Sequence, residues 1–402
     1  MTTDTKTQKQ GVPTVKLALF VTHTLPGFFT HSLLALHQAL LELGIEVLLF
    51  DLSKGLEKKT FSKLIAFDPH FTLSHLFVDR YLGTPLSEIL KIPHLTMLLD
   101  PPFAYKEAVP GPHLLYSCVD RNDVADLQSA GCSSVFFLPH AIGESDFAKE
   151  ERERIFDVVY IAFFNDCEKI RASWQKQETK EIAEAIEEAC FNVLSNDSTT
   201  ITGAILESFQ RNTLSLKEAG FRKMYEYVFW FTRQKERQEL LLSIDDATVH
   251  VFGGKYENNT LFSGFPKALS QKSNLILHPP VAINEVPNIL SQTKICLNST
   301  PFFKDGSHER VLLSLASGAT PLSSKNRYLS EAFALGEEIF LYSFQQRGAV
   351  NELISQILSD EVRRKKGALQ GKENVKNHHI WKIRSQELIQ NLLPIWKALH
   401  LN

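Results

Sequence analysis

The chain predicts an α/β fold of two Rossmann-like domains facing across a cleft, with a helical segment in the second half. Three observations carry this reading. At 402 residues the chain is too long for one ordinary core. Short apolar runs alternate with helix-period stretches in both halves. Residues 167–243 interrupt that alternation with an almost wholly helical pattern, just after a charged connector at 149–154.

Residues 1–13 are polar and read as a loose tail. The first domain spans 14–150. Residues 15–21 predict a strand, 30–43 a helix with Leu33, Leu36 and Leu40 on its apolar side, and 45–50 a second strand, which together make one βαβ unit. The loop between them has only Gly27, so a GxGxxG dinucleotide fingerprint is absent. Further strands follow at 71–75, 95–99, 114–118 and 135–138, each ending in a polar loop. Such loops gather on one rim of the sheet, where α/β proteins bind ligands. The second domain spans 151–385 and includes the helical segment. Its strands are expected at 156–162, 248–252, 275–277, 294–298, 319–322 and 338–342. The aromatic run 224–231 predicts a buried helix, and residues 386–402 a closing helix.

The densest information lies in residues 294–324. A buried strand ends at Asn298, Asp305-Gly306 turns the chain, and Val311, Leu312, Leu315 and Ala316 mark a short amphipathic helix closed by Gly318. Ser307 is the expected N-cap. Ser307, His308, Glu309 and Arg310 therefore surround a helix N-terminus, where free amides and the positive dipole end favour a phosphate. A cation there is unfavourable unless an anion joins it, which singles out Arg310. Gly253 and Gly254 follow a strand and allow close backbone approach to a ligand. Ser323 follows the next strand and is a further phosphate or sugar contact. Lys304 reads as a solvated loop lysine.

The spelling of this stretch, Asn298 followed by Asp305-Gly-Ser-His-Glu-Arg-Val311 and Ala316-Ser-Gly-Ala319, resembles bacterial glycosyltransferases of the spore-maturation-protein (CgeB-like) and glycosyl transferase group 1 type. The resemblance implies a GT-B architecture, in which the closing helix at 386–402 crosses back to the first domain. It also implies a nucleotide-sugar donor held in the second domain by Gly306, Ser307, His308, Glu309, Arg310, Gly253, Gly254 and Ser323. Two positions depart from the family pattern. Leu313 stands where many relatives carry a ribose-binding Glu, and Phe163-Phe164-Asn165 replaces a glycine after the strand at 156–162.

An attacking hydroxyl needs a general base, and Asp100, His23 and His140 lie at strand ends on the first domain's rim; Asp100 leads because the following Pro101-Pro102 holds it. No Asp-x-Asp pair is present to hold a divalent metal on a diphosphate, so no metal and no resident cofactor are expected. P-loop, HExxH and GxSxG motifs are also missing. A net charge of −3 and a pI near 6.5 argue against nucleic acid as partner. The five cysteines show no CxxC spacing and the first residues no secretory signal, so a cytoplasmic location is expected. No apolar run is long enough to span a membrane, while peripheral membrane contact stays open. The function read from the sequence is metal-independent sugar transfer to a glycan, lipid-linked or protein acceptor. Two alternatives remain: a catalytically degenerate GT-B module that binds a glycan or protein, and a GT-B-shaped nucleotide-sugar epimerase or hydrolase.

Overall fold

The structure is a computed structural model that describes residues 15–21, 27–52, 55–75, 80–81, 84–104, 110–150, 152–254 and 264–400. Among these, two six-stranded parallel sheets form the framework.

The first sheet contains β1 (Lys16–Val21), β2 (Glu46–Asp51), β3 (Phe71–His75), β6 (His94–Leu98), β7 (Leu114–Cys118) and β8 (Val135–Phe137), in the order β2-β1-β3-β6-β7-β8. A small antiparallel hairpin, β4 (Arg80–Tyr81) with β5 (Thr84–Pro85), lies outside it. Helices α1 (Phe28–Glu42), α2 (Lys58–Phe67), α3 (Leu86–Leu90) and α4 (Arg121–Ser129) connect the strands. The β3, β6 and β7 residues are buried throughout, as expected for parallel strands covered on both faces.

The second sheet contains β9 (Phe156–Ile161), β10 (Val249–Phe252), β11 (Leu275–His278), β12 (Thr293–Asn298), β13 (Thr320–Ser324) and β14 (Phe340–Tyr342), ordered β11-β10-β9-β12-β13-β14. In sheet terms this is 3-2-1-4-5-6, the Rossmann order, which reverses between β9 and β12. The crevice beyond the C-terminal ends of these two strands is where such sheets take their ligands.

The helical segment intervenes between β9 and β10 as α5 (Cys167–Gln177), α6 (Lys180–Ser195), α7 (Ile201–Arg211), α8 (Leu216–Ala219) and α9 (Phe221–Ser243). Its apolar faces form one core with Phe302 and Phe303 of the second domain and Leu99, Ala104 and Val119 of the first. Residues 196–200 separate α6 from α7, where the Thr200 side chain caps α7 by accepting the amide of Gly203. The second domain continues with α10 (Lys267–Ser270), α11 (Val286–Leu290), α12 (Glu309–Ala316), α13 (Arg327–Ala332), α14 (Ala349–Ser359) and α15 (Glu361–His378). The closing helix α16 (Trp381–His400) lies against α1, with Trp381, Leu388 and Leu392 in the first domain's core.

The two domains are joined by backbone as well as side chains. The Ser307 amide donates to Val119 O at 3.0 Å and the Arg121 amide to Asp305 O at 3.0 Å. The Asp305 amide donates to Asp120 Oδ2 at 2.8 Å, and the Arg121 guanidinium pairs with Asp305 at 2.9 Å. Gly306 sits inside this clasp. A Cβ on it would lie 2.6 Å from Val119 O and 2.7 Å from Asp120 Cβ.

Gly306→Ala should therefore force the two segments apart, at a cost of about 1–3 kcal/mol. The expected readout is a lower melting temperature and faster amide exchange at residues 119–121 and 305–307. Unchanged exchange there would show that the clasp tolerates a methyl group.

Candidate active site

The site grows from the N-terminus of α12, at the reversal point of the second sheet. The helix is capped by His308 rather than Ser307: His308 has extended backbone geometry, and its Nδ1 accepts the Arg310 amide at 3.1 Å. Accepting that amide leaves Nδ1 unprotonated, so the neutral ring carries its proton on Nε2. Burial, with Arg310 and His140 nearby, holds the His308 imidazole well below its ordinary range. Ser307 turns instead to the first domain. Its hydroxyl accepts the His140 amide at 2.6 Å and lies 3.0 Å from His140 Nδ1.

Arg310 is only 9% exposed. Its Nη1 donates to Asn298 Oδ1 at 2.6 Å, and its guanidinium lies 5.4 Å from the Tyr160 ring centre. Asn298 in turn donates to Ser323 Oγ at 2.9 Å, so Arg310 and Ser323 meet through one amide. Among the described residues no carboxylate forms an ion pair with Arg310.

Two further arginines reach the same place from α9. Arg237 is 1% exposed, donates Nη1 to Phe163 O at 2.6 Å, and has no hydrogen-bond partner for Nε. Burial, reinforced by Arg233 and then Arg310, lowers its pKa to about 9. Arg233, one turn earlier, lies 3.5 Å from Asp100 and packs its guanidinium over Phe229, Trp230 and Phe302. Neither was read as a site residue from sequence. The signal was an i,i+4 arginine pair continuing the aromatic run into the core, where unpaired cations are expensive.

The first domain supplies the opposite wall. Asp100 follows β6 and keeps 15% of its side-chain surface exposed. His140 follows β8, is 2% exposed, and is pushed down to about 4 by burial, against the field of Asp100. Its Nε2 lies 3.4 Å from Glu309 Oε2, and that oxygen is 3.3 Å from His308 Nδ1. Burial raises the Glu309 carboxyl while Arg310 opposes the shift. Asp100, His140, Ser307, His308, Glu309, Arg310 and, through Asn298, Ser323 thus share one neighbourhood. His23 lies outside the described residues.

The glycines are occupied by protein contacts. Gly306 faces Asp120, as above. Gly253 packs on β9, where a Cβ would lie 2.0 Å from Ala162 O, and Gly254 beside it has φ +97°. Lys304 differs from the solvated reading. It is buried, its Nζ donates to Val193 O and Asn196 O at 3.0 and 2.8 Å, and burial lowers it to about 7. It therefore anchors the end of α6. Leu313 is buried in the apolar packing of α12. Among the described residues no three His, Cys, Asp or Glu side chains gather as a metal ion would need.

Residues 233–390 match the family model described as "Glycosyl transferase-like". The fold is that of the GT-B glycosyltransferases. Sucrose-phosphate synthase from Thermosynechococcus elongatus superposes with a TM-score of 0.59 at 10% identity, over 96% of this chain and 100% of that one. A DNA-modifying β-glucosyltransferase, solved with and without uridine diphosphoglucose, gives 0.53 at 10% identity over 94% and 99%. Anabaena HepE in complex with UDP-glucose gives 0.50 at 10% identity, again over 94% and 99%. No curated protein sequence matches the chain.

Arg237 generates a test. Its lowered pKa means that burial penalises the charged form, a penalty fully present below about pH 9 and relieved only as the pH rises toward the ordinary arginine range. Arg237→Met should therefore raise the unliganded melting temperature at pH 7, by the equivalent of about 1–4 kcal/mol. A variant less stable than the parent would make Arg237 a structural pillar.

Proposed function

We propose that the protein transfers a sugar from a nucleotide-sugar donor without a bound metal or resident cofactor. The observation that supports this most is the concentration of Arg310, Arg233 and Arg237 at the sheet's reversal point, with Asp100 and Glu309 as the nearby carboxylates. Buried cations in this excess call for an anion, and a diphosphate beside the α12 N-terminus has the matching charge. The relatives crystallised with UDP-glucose support a nucleoside diphosphate sugar as that anion.

In this reading Arg310 and Arg237 grip the diphosphate and stabilise the charge that develops on it as the glycosidic bond breaks. The α12 amides and the Nε2–H of His308 donate to its oxygens. Glu309 and Ser323 receive sugar or ribose hydroxyls, and Ser307 keeps His140 in place. Gly253, Gly254 and Gly306 let the surrounding backbones approach closely enough to form the donor wall. Asp100 is the general base that takes the acceptor hydroxyl's proton, with His140 on the same rim and His23 the further candidate read from sequence. Asp100 is the only one of the two described residues that keeps appreciable exposure, which is why it leads. The acceptor is a glycan, lipid-linked or protein hydroxyl, and the location is cytoplasmic; the five buried, unpaired cysteines fit a reducing compartment. No helix among the described residues is long and apolar enough to cross a membrane.

Leu313 favours a second reading. A buried leucine at the family's ribose position leaves the donor without that carboxylate, which supports a catalytically degenerate module that binds a glycan or protein partner, or a nucleotide-sugar epimerase or hydrolase, in place of a transferase. Following donor consumption with and without acceptor separates the two.

A thermal-shift screen of nucleotide sugars identifies the donor, because a ligand that binds only the folded state raises its melting temperature. With that donor, turnover should persist in EDTA; loss in chelator with recovery on adding manganese or magnesium would sink the metal-independent mechanism. Arg310→Ala should keep the fold and lose about 2–4 kcal/mol of transition-state stabilisation, read as kcat/KM. Normal donor affinity in a variant that melts far lower would move the donor elsewhere.

A further inference from the structure

Away from the cleft, a cavity of about 510 Å³ opens between the connector at 148–154, the C-terminal end of α12 and helix α15. Its chemistry is unlike that of the rest of an acidic chain. Lys149, Arg152, Arg364 and Lys372 line it, and among the described residues none has a carboxylate within ion-pair distance. The cations that are already engaged are different ones. Lys294 pairs with Asp157 at 2.6 Å and Lys365 with Glu361 at 2.8 Å. Arg154 donates to the carbonyls of Leu290, Thr293 and Ser317, which covers the negative end of α12. Glu150 and Glu153 also line the cavity and leave it net positive.

Arg364 is the best-placed of the four. It is 8% exposed, and its guanidinium has one long hydrogen bond, Nη1 to Ile357 O at 3.4 Å. Lys372 extends from α15 to Ala148 O at 3.3 Å, so the two walls already approach each other across the cavity. Leu369 belongs to the lining, and it and Val362, seven residues earlier and so on one face of α15, stand out at 64% and 81% exposure.

We propose that this cavity is a second anion site, which binds a phosphate group between the connector and α15. A phosphate satisfies what the lining lacks: Arg364 presents a fork of donors for its oxygens, and Arg152, Lys149 and Lys372 neutralise its charge. Bound there, it ties the segment joining the two domains to the helix that packs on the back of α12, whose other end carries Arg310. The phosphate comes either from a soluble ligand or from a lipid headgroup, in which case Val362 and Leu369 meet the bilayer.

The test uses the full chain and its Arg310→Ala form, in which the cleft is weakened as an anion site. Inorganic pyrophosphate is titrated calorimetrically, and sedimentation is measured with phosphatidylcholine vesicles with and without phosphatidylglycerol. Binding in one of the two arms is expected in both forms, at least tenfold weaker in Arg152→Glu/Lys372→Glu and weakened by added salt. The arm that responds identifies the source. The double variant should leave the donor-induced thermal shift unchanged, so failure here is separable from failure of the cleft assignment. Binding in neither arm, or an affinity within twofold of the parent after the double charge reversal, overturns the proposal.

Discussion

The short backbone pairing between residues 119–121 and 305–307 is the constraint on which the rest depends. A helix N-terminus attracts an anion wherever it lies, but it becomes half of a bisubstrate site only when another wall stands opposite. Here the loop that leads into α12 is itself hydrogen-bonded to the loop that follows β7. That seats Glu309 within 3.4 Å of His140 and so brings the rims of two separate sheets together. Asp120, central to the pairing, is pushed up to about 6 by burial, while the amides of Asp305 and Asn122 oppose the shift. The clasp accordingly holds a buried carboxylate whose main compensation comes from backbone donors.

Electrostatics then divides the interior into satisfied and unsatisfied charge. Glu236 is fully buried, yet it is bracketed by Arg347 and the Tyr342 hydroxyl. Lys304 is buried but tied to two carbonyls that end α6. Among the described residues Arg237 and Arg310 have no such carboxylate, and both lie beside the strand ends where the second sheet reverses. Proteins hold strained or under-compensated groups chiefly where function needs them. The contrast between these two sets of buried charges, more than any one residue, distinguishes the site from the core.

Much of the fold was legible because parallel strands buried on both faces read as short apolar runs, and the helices between them show a 3.6-residue period. What was missed has physical causes. Helix α15 buries Gly367, Ala368, Gly371 and Val375, a face of small residues that leaves almost no apolar stripe to read. It comes close through those glycines: a Cβ on Gly371 would lie 2.5 Å from Leu315 Cδ2. Arg233 and Arg237 follow an aromatic run that accounts for the burial of α9 by itself, and their partners, Asp100 and Phe163 O, lie far away in sequence. The cap falls on His308 and not on Ser307 as expected, because the first domain claims the Ser307 hydroxyl through His140, a contact that local sequence does not reveal. The segment of the chain that heads α12 was legible; what it faces depends on contacts nearly two hundred residues away in sequence.

The cap itself has a consequence for selectivity between charged and neutral ligands. Serine, threonine, asparagine and aspartate are the usual residues at this position, and an aspartate would cancel much of the positive potential of the helix end. A serine would be pulled away by His140, as Ser307 is. A histidine held neutral closes the first turn with a lone pair, adds no negative charge, and keeps its proton on Nε2. The helix start is thereby capped without the negative charge that an aspartate would bring to the dipole's positive end.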